Sequence, residues 1–230
     1  MADQDIHNFF EDHLDTLHSI ITKNGYINDR IPEDYENLTT QSLIEYLTDK
    51  YASYNLEIQS YDDKQRHLLS GIFNHSSENK LLMIFFCGSA SPDFKMINTQ
   101  ILKLIDGYQN YTFDCIVVTE QPHNSRNIIF KNSKFNLKFY TDDVFFDISD
   151  NIFVPRVLKK YKPDDKIFSK IDTKKFPKII LDDPLCSFYL CSLGDVLELE
   201  RDVDVDGIST TEITYRTVAP IPFMKKNSKK

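Results

Sequence analysis

The chain has 230 residues, of which 41% are hydrophobic and 27% charged, and a formal net charge of -8 at pH 7. A chain of this length buries roughly 70% of its unfolded surface, enough for a stable core, and its acidic balance argues against a protein whose whole surface grips phosphates. No apolar run approaches the ~20 residues needed to span a bilayer, and the start MADQDIHNFFEDH has no secretory-signal pattern.

Taken in chain order, Ile6, Phe9, Phe10, Leu14, Leu17, Ile20 and Ile21 recur at spacings of three and four, one apolar face of a helix, and Asn24-Gly25 supplies its stop. Residues 42–54 suggest a second helix with Ser42 and Glu45 as a capping box. Strand-like runs follow at residues 55–61, 67–73 and 80–88, the last apolar enough to be buried on both faces. Ser91-Pro92 reads as an N-cap and first helical position, and Phe94, Ile97, Ile101, Leu104 and Ile105 continue that helix to Gly107. Residues 113–120 form another buried strand, and residues 135–141 alternate, with Phe135, Leu137 and Phe139 on one side. Strand, helix and strand in this order predict a sheet with a crossover helix.

Residues 154–166 are basic and twice broken by proline, which places a domain boundary near residue 150. Beyond it come a short helix over residues 164–171, a short strand at residues 178–181, an N-cap at Asp183 with Pro184 at the first helical position, a tight turn at Gly194-Asp195 and an alternating strand. A hairpin tip is expected over residues 202–207, with its return strand over residues 211–218. The expected organisation is α+β: an N-terminal α/β domain at 1–150, a small mixed α+β domain at 151–220 and a basic tail at 221–230.

Two motifs invite catalytic or metal readings, and both are incomplete. Asp202, Asp204, Asp206 and Gly207 spell the first half of a calcium loop, but its twelfth position is Ile213 and its flanks read as strands. Pro92-Asp93 resembles the opening of a metal-dependent nuclease motif, yet the next strand lacks an acid-x-Lys, and Glu78-Asn79-Lys80 comes before Asp93, in the wrong order. Cys87, Cys115, Cys186 and Cys191 form no C-x-x-C pair and read as reduced core thiols. The six histidines have no ligand spacing. The expectation is no catalytic residue, no metal and no cofactor; the alternative is a metal-dependent nuclease-fold enzyme.

Residues 176–218 resemble the assembly domain of the fifth subunit shared by nuclear RNA polymerases, a family that also has archaeal members. The resemblance rests on Pro177-Lys178-Ile179, Asp183-Pro184, Gly194-Asp195-Val196, Arg201 and Ile213-Thr214-Tyr215-Arg216. Looser matches are Phe153-Val154-Pro155-Arg156-Val157, Asn24-Gly25-Tyr26 and Phe86-Cys87. The chain departs from that family at Leu190-Cys191-Ser192-Leu193, where the family carries a glycine and then a basic residue, and in the acidic run 202–206.

The resemblance implies a non-catalytic subunit of a DNA-directed RNA polymerase. Its N-terminal jaw would be a nuclease-like fold without an active site, and its C-terminal module would dock on the largest polymerase subunit, among the other subunits, through Val154, Pro155, Pro184, Phe188, Tyr189, Gly194, Tyr215 and Arg216. No membrane partner is implied. An Asn-, Ile-, Asp- and Lys-rich composition suggests an AT-rich genome, hence a large DNA virus, with the virion and cytoplasmic virus factory as location, or a divergent eukaryote, with the nucleus. Arg126, Lys131, Lys134 and Lys138, interleaved with Phe130, Phe135 and Phe139, read by themselves as a solvated strand face. The resemblance makes them candidates for guiding downstream duplex DNA.

Overall fold

The computed structural model describes residues 3–29, 31–32, 34–54, 56, 65–87, 91–120, 135–151, 153–205 and 208–220. The chain divides into two compact units, residues 1–147 and 148–230, each with its own four-stranded sheet. The fold is α+β with two open sheets.

In the first unit the strands are β1 (Gly71–Asn74), β2 (Lys80–Cys87), β3 (Thr112–Thr119) and β4 (Phe135–Thr141), in that spatial order. β1 runs antiparallel to β2; β2, β3 and β4 are parallel. The crossover between β2 and β3 is α3 (Ser91–Gly107). The two central strands are buried along nearly their whole length, as their unbroken apolar runs demand. On one face, Leu81, Met83, Phe85, Cys87, Phe113, Cys115 and Val117 pack with Ile97 and Ile101 of α3. The other face includes Phe86 and meets α1 (Asp3–Lys23), whose His13 ring lies 5.5 Å from that of Phe86. α1 buries Phe10, Leu14, Leu17, Ile20 and Ile21. It ends in a Schellman turn: Tyr26 N donates to Ile21 O at 2.9 Å and Gly25 N to Thr22 O at 3.1 Å, with Gly25 at φ +80.

The sequence expectations need adjusting at three places in this unit. α2 (Thr40–Ser53) is capped by Thr39, whose hydroxyl accepts from Ser42 N at 3.2 Å, so Ser42 receives the cap instead of supplying it. The run at residues 67–73 splits: Arg66–Leu69 is a 3-10 turn and the strand begins at Gly71. That turn points Arg66 inward, where it is 0% exposed and grips the Asp142 carboxylate with both terminal nitrogens, Nη2 to Oδ1 at 2.5 Å. Finally, α3 already includes Ser91. Of the strand expected at residues 55–61, only Leu56 falls within the described residues.

In the second unit the spatial order is β5 (Arg156–Tyr161), β7 (Val196–Val205), β8 (Ile208–Ala219) and β6 (Lys178–Ile180). β7 and β8 form an antiparallel hairpin, with β5 antiparallel to β7 and β6 parallel to β8. The strands run as far as the Val205–Ile208 pair, so Asp202 and Asp204 are strand residues opposite Thr211 and Ser209, not the hairpin tip. Helix α4 (Pro184–Phe188) starts as its sequence predicts: Asp183 accepts from Leu185 N at 2.9 Å and Pro184 occupies the first turn.

Candidate docking surface of the C-terminal unit

The hairpin register sorts the side chains of the second sheet onto two faces, because neighbours along a strand point opposite ways. Leu197, Leu199 and Arg201 share a face with Thr214, Arg216 and Val218; Val196, Glu198 and Glu200 share the other with Ile213, Tyr215 and Thr217.

On the first face, α4 and the segment before β5 leave a cleft of about 280 Å³. Phe153, Val154, Pro155, Pro184 and Leu185 line it together with Leu199, Arg201 and Arg216. Phe153 is 87% exposed, an unusual position for an aromatic ring, and also lines an adjoining cleft of about 680 Å³ with Val154, Pro155 and Arg201. Among the described residues neither Arg201 nor Arg216 makes an ion pair, although Asp183 lines the same cleft and Glu212 is the cross-strand neighbour of Arg201 on this face. A planar fork of N–H donors in such a setting suits a carboxylate carried on an apolar polypeptide.

Four of the residues singled out from the sequence therefore come together here: Val154, Pro155, Pro184 and Arg216. The others do not. Phe188 and Tyr189 are 2% and 7% exposed and belong to the core, not to a contact surface. A unit this small must spend its aromatic rings on its own interior before any can be left outside. Tyr215 lies on the opposite face, its ring stacked 5.7 Å from Phe176 and its hydroxyl donating to Glu198 at 3.0 Å. Glu198 also accepts from Tyr161 at 2.8 Å, and this hydrogen bond, with burial and the carboxylate charge behind it, pushes the Tyr161 phenol up to about 12. Gly194 is a turn residue at φ +89, and a Cβ there would come within 3.1 Å of Pro163. The buried Asp195 beside it accepts from Ser192 N at 2.9 Å and pairs with Lys162 at 3.2 Å. Phe153 and Arg201 line the cleft although neither was among the expected docking residues; both stand in the segments that carry the family resemblance, which was the available signal.

The DNA-proximal set fares differently. Arg126, Lys131 and Lys134 lie outside the described residues. Lys138 is on β4, opposite in pleat to Leu137 and Phe139, but it is 8% exposed instead of solvent-facing. Both faces of this sheet are covered, so Lys138 is buried and Asn136 and Tyr140, on the same side of the edge strand, are half-buried.

Nothing nuclease-like assembles among the described residues of the first unit. Among them no group of three or more His, Cys, Asp or Glu could hold a metal. The buried Asp114 does face a lysine, Lys80 at 2.5 Å, but it also accepts from Tyr26 at 2.7 Å and Asn136 at 3.1 Å. Those partners occupy the carboxylate, and the cluster lies toward the amino ends of the parallel strands, away from the carboxyl ends where open α/β sheets bind ligands. Asp93 is on α3, with its side chain outside the described residues. All four cysteines are buried and none is in a disulfide, and burial raises the Cys115 thiol further from reactivity.

Compared with known proteins, the chain matches no protein-family model and no curated protein.

Proposed function

We propose that the chain is a non-catalytic subunit of a multisubunit DNA-directed RNA polymerase, and that its C-terminal unit docks on the largest subunit through the cleft lined by Phe153, Pro155, Arg201 and Arg216. The observation that carries this reading is the coincidence of the family-like residues with structural roles in one compact unit. Asp183-Pro184 starts a helix, Gly194-Asp195 makes the turn into the hairpin, and Arg201 and Arg216 border one cleft. A second observation supports it. Leu190 heads the segment where the family carries a glycine, and its backbone is left-handed at φ 49, a conformation that glycine adopts without steric cost.

A tagged full-length chain purified from its native source should bring down the large subunits of an RNA polymerase. R201E/R216E, which changes two side chains outside the core, should reduce that recovery by at least ~10-fold with unchanged circular dichroism, since losing one partner of a desolvated charge pair costs about 2–5 kcal/mol. Recovery of no polymerase chain would reject the function. Full recovery with the double variant would reject the cleft as the docking surface.

A further inference from the structure

Residues 156–178 carry nine basic side chains against three aspartates, in a chain whose net charge is -8. The sequence places the domain boundary in its first part, residues 154–166; in the structure the whole stretch is a pinned strap. Beyond β5 it folds through two 3-10 turns, Lys166–Phe168 and Thr173–Lys175, over the sheet face opposite the cleft. Phe168 packs edge-on to Tyr161 and Tyr215, at 5.3 and 5.9 Å between ring centres, and the Thr217 hydroxyl donates to Thr173 O at 2.5 Å. With its aromatic rings drawn inward, the strap turns Lys166, Lys170, Lys174 and Lys175 outward, all four exposed. Among the described residues none of the four makes an ion pair. Asp165 and Asp172 cap the turns, accepting from Ile167 N at 3.2 Å and Lys174 N at 3.1 Å, and among the described residues neither forms an ion pair with these lysines. Lys162, just before the first turn, differs from these four in having a carboxylate partner, Asp195.

We propose that this strap is a nucleic-acid contact that binds the phosphates of a duplex without regard to sequence. Lysines are compact point charges that suit phosphate, and the two turns carry no arginine fork to read base edges. The strap also exposes no aromatic ring on which an unpaired base could stack, which favours duplex over single strand. Ile167 and Ile171 are 52% and 50% exposed between the lysines, a feature an anionic membrane would also engage, so vesicles serve as the competing probe. Because the strap and the cleft occupy opposite sheet faces, a protein partner in the cleft leaves the lysines open. The proposal stands whether or not the protein partner is a polymerase.

The test is fluorescence anisotropy of a labelled mixed-sequence duplex titrated with the full chain from about 20 mM to about 150 mM salt, a range over which a few phosphate contacts are lost. The parallel probes are a single strand and vesicles containing phosphatidylserine. Wild type should bind duplex at the low end and release it by the high end, with the same affinity for a permuted sequence. K166E/K170E/K175E should weaken binding at least ~10-fold, and the neutral K166Q/K170Q/K175Q, which keeps every side chain long and polar, should reduce the log–log salt slope by up to about 3, near 0.9 for each contact removed. Unchanged duplex affinity in both variants, no binding at the lowest salt, or tighter binding to vesicles than to duplex would each overturn the proposal.

Discussion

Arg66 and Arg216 are the same residue type put to opposite uses. Arg66, in the N-terminal unit, has no exposed surface; its guanidinium is closed on Asp142 and lies 5.5 Å from the Phe9 ring. Arg216, in the C-terminal unit, stands half-buried at the rim of an apolar cleft, without a carboxylate partner among the described residues. The contrast extends to the lysines. Lys80 of the first unit is tied to the buried Asp114, whereas Lys166, Lys170, Lys174 and Lys175 of the second face solvent. The first unit, with a sheet covered on both faces, satisfies these charges internally. The second encloses one such charge, Asp195, and leaves these arginine and lysine side chains at its surface.

The largest effect expected from breaking this contrast is at Arg66. Arg66→Ala strands Asp142 and empties the space beneath Phe9, and removing one member of a buried ion pair costs about 3–5 kcal/mol. Hydrogen exchange followed by mass spectrometry should show β2 and β3 losing protection while β7 and β8 keep theirs. Equal loss in both hairpin strands would mean that the two units do not differ in this way. The same pair sets a pH dependence. Burial opposes ionisation of Asp142, but the contacts of His13 and Arg66 outweigh it and hold the carboxyl down at about 2. A depressed carboxyl stabilises the fold at pH values above its unfolded pKa of about 3.9, and that contribution is lost as pH falls from there toward 2. Wild type should therefore lose more stability than Arg66→Ala over this acid window, and parallel acid titrations of the two proteins would remove Arg66 as the cause.

The buried strands were legible in the sequence because a run such as LLMIFFC admits no solvent face, whichever way it is pleated. Lys138 was not legible. The alternation Phe135, Leu137, Phe139 suggests one wet face, and α1, more than a hundred residues earlier in the chain, covers that face of the sheet. Phe188 and Tyr189 show the converse failure. Aromatic residues on a short helix look like anchors for a partner until the size of the unit is considered, and then they are needed inside. The strap was only partly legible, for a third reason. The proline and lysine content of residues 154–166 marks a boundary, but the ring contacts that fasten the segment down, such as Phe168 edge-on to Phe176 at 5.7 Å, depend on the folded sheet beneath it. Turn chemistry was not legible at Ser42, Ser91 or the hairpin tip, where a cap or turn residue of the right type stands one or a few positions from where the element ends. It was legible at Asp183-Pro184 and Gly194, which owe their roles to their own backbones and not to distant cover.

That locality gives the smallest and sharpest test of the comparison. Asp183 borders the cleft, where its carboxylate accepts from Leu185 N and starts α4 and makes no ion pair with Arg201 or Arg216 among the described residues. Asp183→Ala should cost about 1 kcal/mol through the lost cap, and Asp183→Ser should recover most of it, because a serine hydroxyl caps nearly as well. The cleft should respond in the opposite sense. If an acidic partner segment enters it, removing a nearby carboxylate in Asp183→Ser leaves docking unchanged or slightly tighter, whereas R201E/R216E abolishes it. Chemical denaturation of Asp183→Ala and Asp183→Ser against wild type measures the first effect, and recovery of the partner measures the second. Weaker docking by a fully stable Asp183→Ser variant would show that the carboxylate itself contacts the partner, and that the cleft recognises something other than an acidic chain.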